Sequence, residues 1–169
     1  MHPLADIINH AEGFVLIGNS SEKRFPAMSY HAYTTVKKKF YCLDMGGLAS
    51  SRGPTQGGKV YHSVAELPAD RDDLAVIWVH PHTAVRAVEL AHEAGCRRVW
   101  FSFQTGHADA VKKARELGMR IVENGRCPVY YLEGNKPGAC KAHTLVVKLT
   151  GTYRRPPQTE AGSGRRELW

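Results

Sequence analysis

Four short stretches carry the residue types that could meet a charged ligand. Gly18-Asn19-Ser20-Ser21, with Lys23 and Arg24 just beyond, offers a small-residue turn, hydroxyls and cations. Asp44-Met45-Gly46, His80-Pro81-His82-Thr83 and Gln104-Thr105-Gly106 are the others. A strand, a tight turn and a helix start make an anion cradle. The N–H groups of the first helical turn and the positive end of the helix dipole converge there. Phosphate is the guest this chemistry favours. Arg24 is the stronger of the two cations, because a guanidinium bridges two phosphate oxygens. The dinucleotide turn G-x-G-x-x-G is incomplete, since Asn19-Ser20-Ser21-Glu22-Lys23 follows Gly18 without the second and third glycines. Asp44 nonetheless stands where an acidic residue contacts the ribose of NAD. Its other reading is an aspartate that starts a turn before Gly46-Gly47.

These stretches need strands beneath them, and the chain supplies them. Phe14-Val15-Leu16-Ile17, Phe40-Tyr41-Cys42-Leu43, Leu74 to Val79, Val99 to Phe103 and Met119 to Val122 are apolar runs of strand length. Their continuous apolar character predicts strands covered on both faces. Val60-Tyr61 adds a short one. Helices are predicted between them. Leu4, Ile7, Ile8 and Ala11 share one helical face, and Met28, Ala32, Tyr33 and Val36 share another. A helix opening at Pro81 or Thr83 carries Val85, Val88 and a core or boundary His92, and stops at Gly95. A last one runs from Ala108 to Leu117. Lys37-Lys38-Lys39 reads as a solvated helix end. Ser63-Val64-Ala65-Glu66 fits a capping box opening one or two helical turns. Asp44 to Gly58 is a long Gly, Ser and Pro loop suited to binding. The alternation predicts an α/β, Rossmann-like, doubly wound and mainly parallel sheet with helices on both faces. Ligands of such sheets sit at the carboxyl ends of the strands, where the four polar stretches fall.

Composition narrows the partners. The net charge is +7. Residues 1–133 hold 16 basic and 14 acidic side chains, a balance of +2. Residues 134–169 hold seven basic and two acidic ones, a balance of +5. Nucleic acid is therefore not expected as a partner, except weakly through the basic extension. No run reaches the roughly 20 apolar residues of a membrane span, so no membrane partner is expected. Met1 to Glu12 has no signal-peptide core, and a cytoplasmic protein is expected. Four scattered cysteines form no C-x-x-C pair. No metal site is assigned, since His80 and His82 lack a third ligand at helical spacing. No catalytic residue is assigned, since no Ser–His–Asp elbow is present.

Several segments resemble the small bacterial and archaeal CoA-binding proteins, whose fold is shared by the CoA-binding domain of the succinyl-CoA ligase alpha subunit. Val15-Leu16-Ile17-Gly18-Asn19-Ser20 is similar to the family's V-G-A-S turn. Gly58 to Pro68 is similar to its G-x-x-V-Y-x-S-L-x-E-L-P. Val99 to Gly106 resembles its V-W-x-Q-x-G strand and turn, and Arg126-Cys127-Pro128 its R-C-P. The resemblance runs from about Asp6 to Leu132 and implies a Rossmann-like domain, residues 1–133, holding CoA or an acyl-CoA without a defined reaction. It implies that Gly18, Asn19, Ser20 and Ser21 meet the pyrophosphate, with Lys23 and Arg24 beside them. Asp44 and Met45 would lie near the adenosine. His80, Pro81 and Thr83 would line the other side, and Gln104 and Gly106 complete the rim. The chain departs from the family where an Asn-Pro commonly ends the second strand, since Asp44-Met45 stands there and an aspartate repels phosphate. The runner-up is therefore an NAD(P)-binding oxidoreductase or redox sensor using Asp44 as ribose ligand. Residues 134–169 form a basic extension, with an added strand at His143 to Leu149 and disorder from Pro156. A homodimer is left open.

Overall fold

The structure is a computed structural model that describes residues 2–51 and 59–153. Six strands, β1 Phe14–Gly18, β2 Phe40–Asp44, β3 Val60–Tyr61, β4 Leu74–Trp78, β5 Arg98–Phe101 and β6 Arg120–Asn124, form one sheet in the order β3-β2-β1-β4-β5-β6. Every pairing is parallel. The chain builds outward from β1 to β3, then crosses back to β4 on the other side of β1. That reversal makes the β1–β4 boundary the switch point of the sheet. The register sets Gly18 beside Asp44 and Trp78, so three of the polar strand ends meet at one edge.

The apolar runs are explained by two cores. Val15, Ile17, Ala75, Ile77, Val99 and Phe101 point to one face. There they meet helices α3, Ala84–Glu93, and α4, Ala108–Glu116. Phe14, Leu16, Val76, Trp100 and Val122 point to the other. They meet α1, Pro3–His10, α2, Ala27–Thr35, α5, Pro128–Tyr131, and α6, Gly138–Thr150. Alternate residues of each strand serve opposite faces, so both sets must be apolar. Phe14 is representative: its ring packs edge-on to Tyr33 at 4.9 Å and stacks on Phe40 at 5.9 Å. Truncating such a residue to Ala costs about 3–5 kcal/mol.

Several expectations are corrected. Helix α2 buries Tyr30 and Tyr33, while Met28 is exposed. Ala32 is buried as expected, whereas Met28, one turn before it in the first turn of the helix, lies beyond the packed part of that face. Lys38 is no solvated end. Lys37 takes the left-handed conformation at φ 59, and the N–H groups of Lys37 and Lys38 close on the carbonyls of Thr34 and Tyr33. This helix-ending turn aims Lys38 Nζ at the Asn9 carbonyl, 2.5 Å, and Glu12, 3.3 Å, leaving its side chain 9% exposed. His92 is exposed, not part of the core. Val64–Glu66 is a single 3-10 turn, in which Glu66 accepts from the Ser63 hydroxyl rather than Ser63 capping the backbone. His143 to Leu149 is not a strand but lies inside α6. Pro137 opens that helix, Gly151 closes it at φ 65, and Cys140 and Val147 face inward at helical spacing. The expected disorder from Pro156, and the part of the long loop at 52–58, lie outside the described residues.

Candidate functional site

The carboxyl end of β1 leads into a closed hairpin. Asn19 N–H donates to the Arg24 carbonyl at 3.1 Å, and Arg24 N–H returns to the Asn19 carbonyl at 2.9 Å. Between them Ser20–Glu22 makes a 3-10 turn, closed by Lys23 at φ 56. Gly18 is required, because a Cβ there would run into the Pro26 ring. The strand therefore does not pass directly into a helix. Helix α2 starts only at Ala27, its cap Pro26 has no N–H, and Ala27 N–H donates to the Phe25 carbonyl. The expected cradle of helix N–H groups is thus displaced by the hairpin Asn19–Arg24.

Asp44 holds that hairpin in place. Its side chain is fully buried. Oδ1 accepts from the N–H of Ser20 at 2.9 Å and of Gly46 at 3.1 Å. Oδ2 accepts from the Ser20 hydroxyl at 2.6 Å and Ala49 N–H at 2.9 Å. Burial opposes the charge. The Ser20 hydroxyl and the N–H groups of Ser20, Ala49 and Gly46 outweigh it and hold the carboxyl below its usual range. Leu48 N–H donates to Ser20 Oγ at 2.9 Å, and Met45 N–H to the Gly18 carbonyl at 3.0 Å. A Cβ on Gly46 would press on the backbone nitrogens of Ser20 and Ser21. Asp44 thus acts as a strut between two loops. With both oxygens occupied, its reading as a ribose ligand is not favoured, and neither is the NAD(P) alternative.

Arg24 spans the switch point. Its guanidinium lies 4.6 Å over the Trp78 ring, and Nη2 donates to the Gln104 carbonyl at 3.3 Å. It is half-buried, not a free loop arginine, and its buried Nε has no hydrogen-bond partner among the described residues. Glu22 reaches the same way, to His82 Nε2 at 2.9 Å and Thr83 Oγ1 at 3.3 Å. His80 stacks on His82 at 5.7 Å. Gln104 has φ 53, a conformation rare outside glycine, and is exposed. Gly106 is crowded by the Asn124 side chain, which leaves no room for a Cβ.

Of the residues expected at the site, Gly18, Asn19, Ser20, Arg24, Asp44, Met45 and Gln104 are joined through these contacts. Thr83 joins them through Glu22. Ser21 and Lys23 stand exposed on the hairpin, the Ser21 hydroxyl donating to Asn19 Oδ1 at 2.6 Å, while His80 and Pro81 are half-buried beside it. Glu22, Trp78 and His62 were not anticipated. Trp78 closes a strand whose register sets it beside Gly18; the apolar run places it at a strand end, and the pairing with Gly18 is seen only in the structure. His62 follows β3 and brings Nδ1 to 3.9 Å from Asp44 Oδ2. That buried nitrogen also has no hydrogen-bond partner among the described residues. Orphaned nitrogens on a half-buried Arg24 and on His62, at strand ends, fit a phosphate-bearing ligand. The cysteines do not fit a thiolate centre: burial pushes Cys127 up to about 11, Cys96 up to about 12, and Cys42 and Cys140 upward too. Among the described residues no helix is long and apolar enough to cross a membrane.

Solved structures share the fold. A hypothetical protein from Pyrococcus horikoshii OT3 is 26% identical, with a TM-score of 0.59 over 76% of this chain and 86% of that one. A conserved hypothetical protein from Pyrococcus furiosus is 22% identical, with a TM-score of 0.53 over 70% of this chain and 97% of that one. The apo form of a dinucleotide-forming acetyl-coenzyme A synthetase from Ca. Korarchaeum cryptofilum is 18% identical. Its TM-score is 0.51 over 72% of this chain and 27% of that one. No curated protein matches the sequence. The model of the CoA binding domain family matches residues 14–132, which takes in every strand-end loop described above. The chain belongs to the CoA-binding domain family.

Proposed function

We propose that the protein binds CoA or a short acyl-CoA across the carboxyl ends of β1, β2, β4 and β5, as a binding or regulatory module without a reaction of its own. The observation that carries this reading is the family match over residues 14–132, which contains the whole strand-end cluster. The cluster's chemistry supports it. Ser21 and Lys23 are exposed on the hairpin, and Arg24 sits at the switch point with an orphaned nitrogen. These groups would take the pyrophosphate. Ser20 is engaged by Asp44 and Leu48, so its part is to shape the hairpin. Met45 and the exposed Leu48, beyond β2, offer apolar surface to the adenine. Trp78, His80, Pro81, Thr83, Gln104 and Gly106 would border the other arm of the ligand. The high-pKa cysteines, Cys96 buried and Cys127 half-buried, support a binding role over thiol chemistry.

Native mass spectrometry of the purified protein, followed by calorimetric titration with CoA, acetyl-CoA and NAD, tests this reading. CoA or acetyl-CoA should bind more tightly than NAD. Tighter binding of NAD would overturn it.

A further inference from the structure

Helix α6 lies beyond the family-matched region, and its outer face takes no part in the strand-end site. Cys140 and Val147 are buried on the inner face. The opposite face presents Leu145, Val146 and Leu149, which are 57%, 56% and 75% exposed. Ala142, also exposed, extends this stripe by one turn. Ala142, Leu145 and Leu149 fall at successive a, d and a positions of a heptad. Lys141 and Lys148, both exposed, fall at g and line one flank. Helix α6 contains no acidic residue, and residues 134–159 hold five lysines and arginines without an acid.

We propose that this face of α6 docks an acidic amphipathic helix of a partner protein. The partner's apolar stripe packs on Ala142, Leu145, Val146 and Leu149, and its carboxylates meet Lys141 and Lys148. Charge selects this occupant. Two copies of α6 packed antiparallel would set each Lys141 against the other's Lys148, like charge on like charge. Packed parallel, they offer neither lysine a carboxylate. The lysines follow a single flank at heptad spacing, which matches one row of carboxylates on a facing helix.

The test uses the full chain and a labelled synthetic helix of about three heptads with Leu at a and d and Glu at e and g. A twin peptide carries Lys at e and g. Fluorescence anisotropy should show the Glu peptide binding at least about tenfold more tightly than its twin at low salt. The pair Leu145→Ser and Leu149→Ser should lose that binding while melting like the parent, because both side chains are exposed. The pair Lys141→Glu and Lys148→Glu should invert the preference. Equal binding of the two peptides, or no binding of either, overturns the proposal. So does binding to phosphatidylglycerol vesicles, in place of the Glu peptide, that the serine pair abolishes. A dimer in sedimentation velocity that the serine pair dissolves overturns it too.

Discussion

Replacing Asp44 with Asn distinguishes a strut from a ligand group. The carboxylate is fully buried and accepts four hydrogen bonds, two on each oxygen. Asparagine keeps one acceptor oxygen and turns the other into a donor. Two of the loop donors then face an NH2 group. Each buried donor left without an acceptor costs about 1–3 kcal/mol. The Ser20 hydroxyl can rotate away, so the lower half of the summed range applies, about 2–4 kcal/mol. For a chain of 169 residues that lowers Tm by about 5–15 °C. The pH dependence follows from the lowered pKa. A carboxyl with a depressed folded pKa contributes stability above its unfolded pKa of about 3.9, and loses it as the pH falls through the folded value. The Tm gap between the parent and Asp44→Asn should be constant above about pH 5 and narrow below about pH 4. Scanning calorimetry across this range, with CoA titration at neutral pH, reads both effects. A variant that melts like the parent yet loses its ligand would make Asp44 a ligand residue. A gap unchanged in acid would remove the charge from the explanation.

Arg24→Ala should weaken CoA binding by about 1.5–3 kcal/mol and, through the lost stack on Trp78, lower stability by about 0.5–1 kcal/mol. Calorimetry and urea unfolding measure the two, and an unchanged CoA titration would remove Arg24 from the site. A chain cut after Arg155 should keep its fold and CoA affinity. Whatever affinity it has for nucleic acid should survive the cut, which removes two arginines with two glutamates and no net charge, and should fall with salt; lost CoA binding would mean that the extension completes the site. A cut before Tyr153 should lower Tm, because that ring stacks on Tyr131 and its hydroxyl accepts Cys127 N–H at 2.9 Å. Cys127, held up to about 11 by burial, should alkylate about a hundredfold more slowly in the folded protein than in urea at pH 8. Equal rates would restore thiol chemistry as a candidate.

The fold was legible because its signals are redundant. Each longer strand is centred on an apolar run, with its charges near the ends, Asp44 in β2, Arg98 in β5 and Arg120 and Glu123 in β6, and parallel strands covered on both faces favour that pattern. Gly95 and Gly118 mark helix ends at φ 85 and φ 70. Where one signal stood alone, it misled. Val146-Val147 between Leu145 and Leu149 looks like a strand by residue type. Only the inward spacing of Cys140 and Val147, fixed by tertiary packing, decides for a helix. Lys37 likewise sits where glycine would announce a helix end, so three lysines hid a closing turn that buries Lys38.

The site was legible as a place and less so as a set of roles. Strand ends are located by the pattern, so the stretches at Gly18, Asp44, His80 and Gln104 could be found without coordinates. Which atoms remain available there depends on contacts between residues far apart in the chain. Ser20 and Asp44 are 24 residues apart, and their two hydrogen bonds turn a nominal ligand pair into an internal brace. Arg24 and Gln104 are 80 residues apart, and their contact turns a flanking cation into the bridge across the switch point. The same brace supplies a reason for an aspartate where a phosphate-binding loop would disfavour one. Its charge is stabilised by hydrogen bonds from Ser20, Gly46 and Ala49. What the hairpin then turns outward is Ser21 and Lys23, with Arg24 held beside them on Trp78. A buried anion that orders a cationic loop can therefore favour, rather than oppose, an anionic ligand on the loop's outer side.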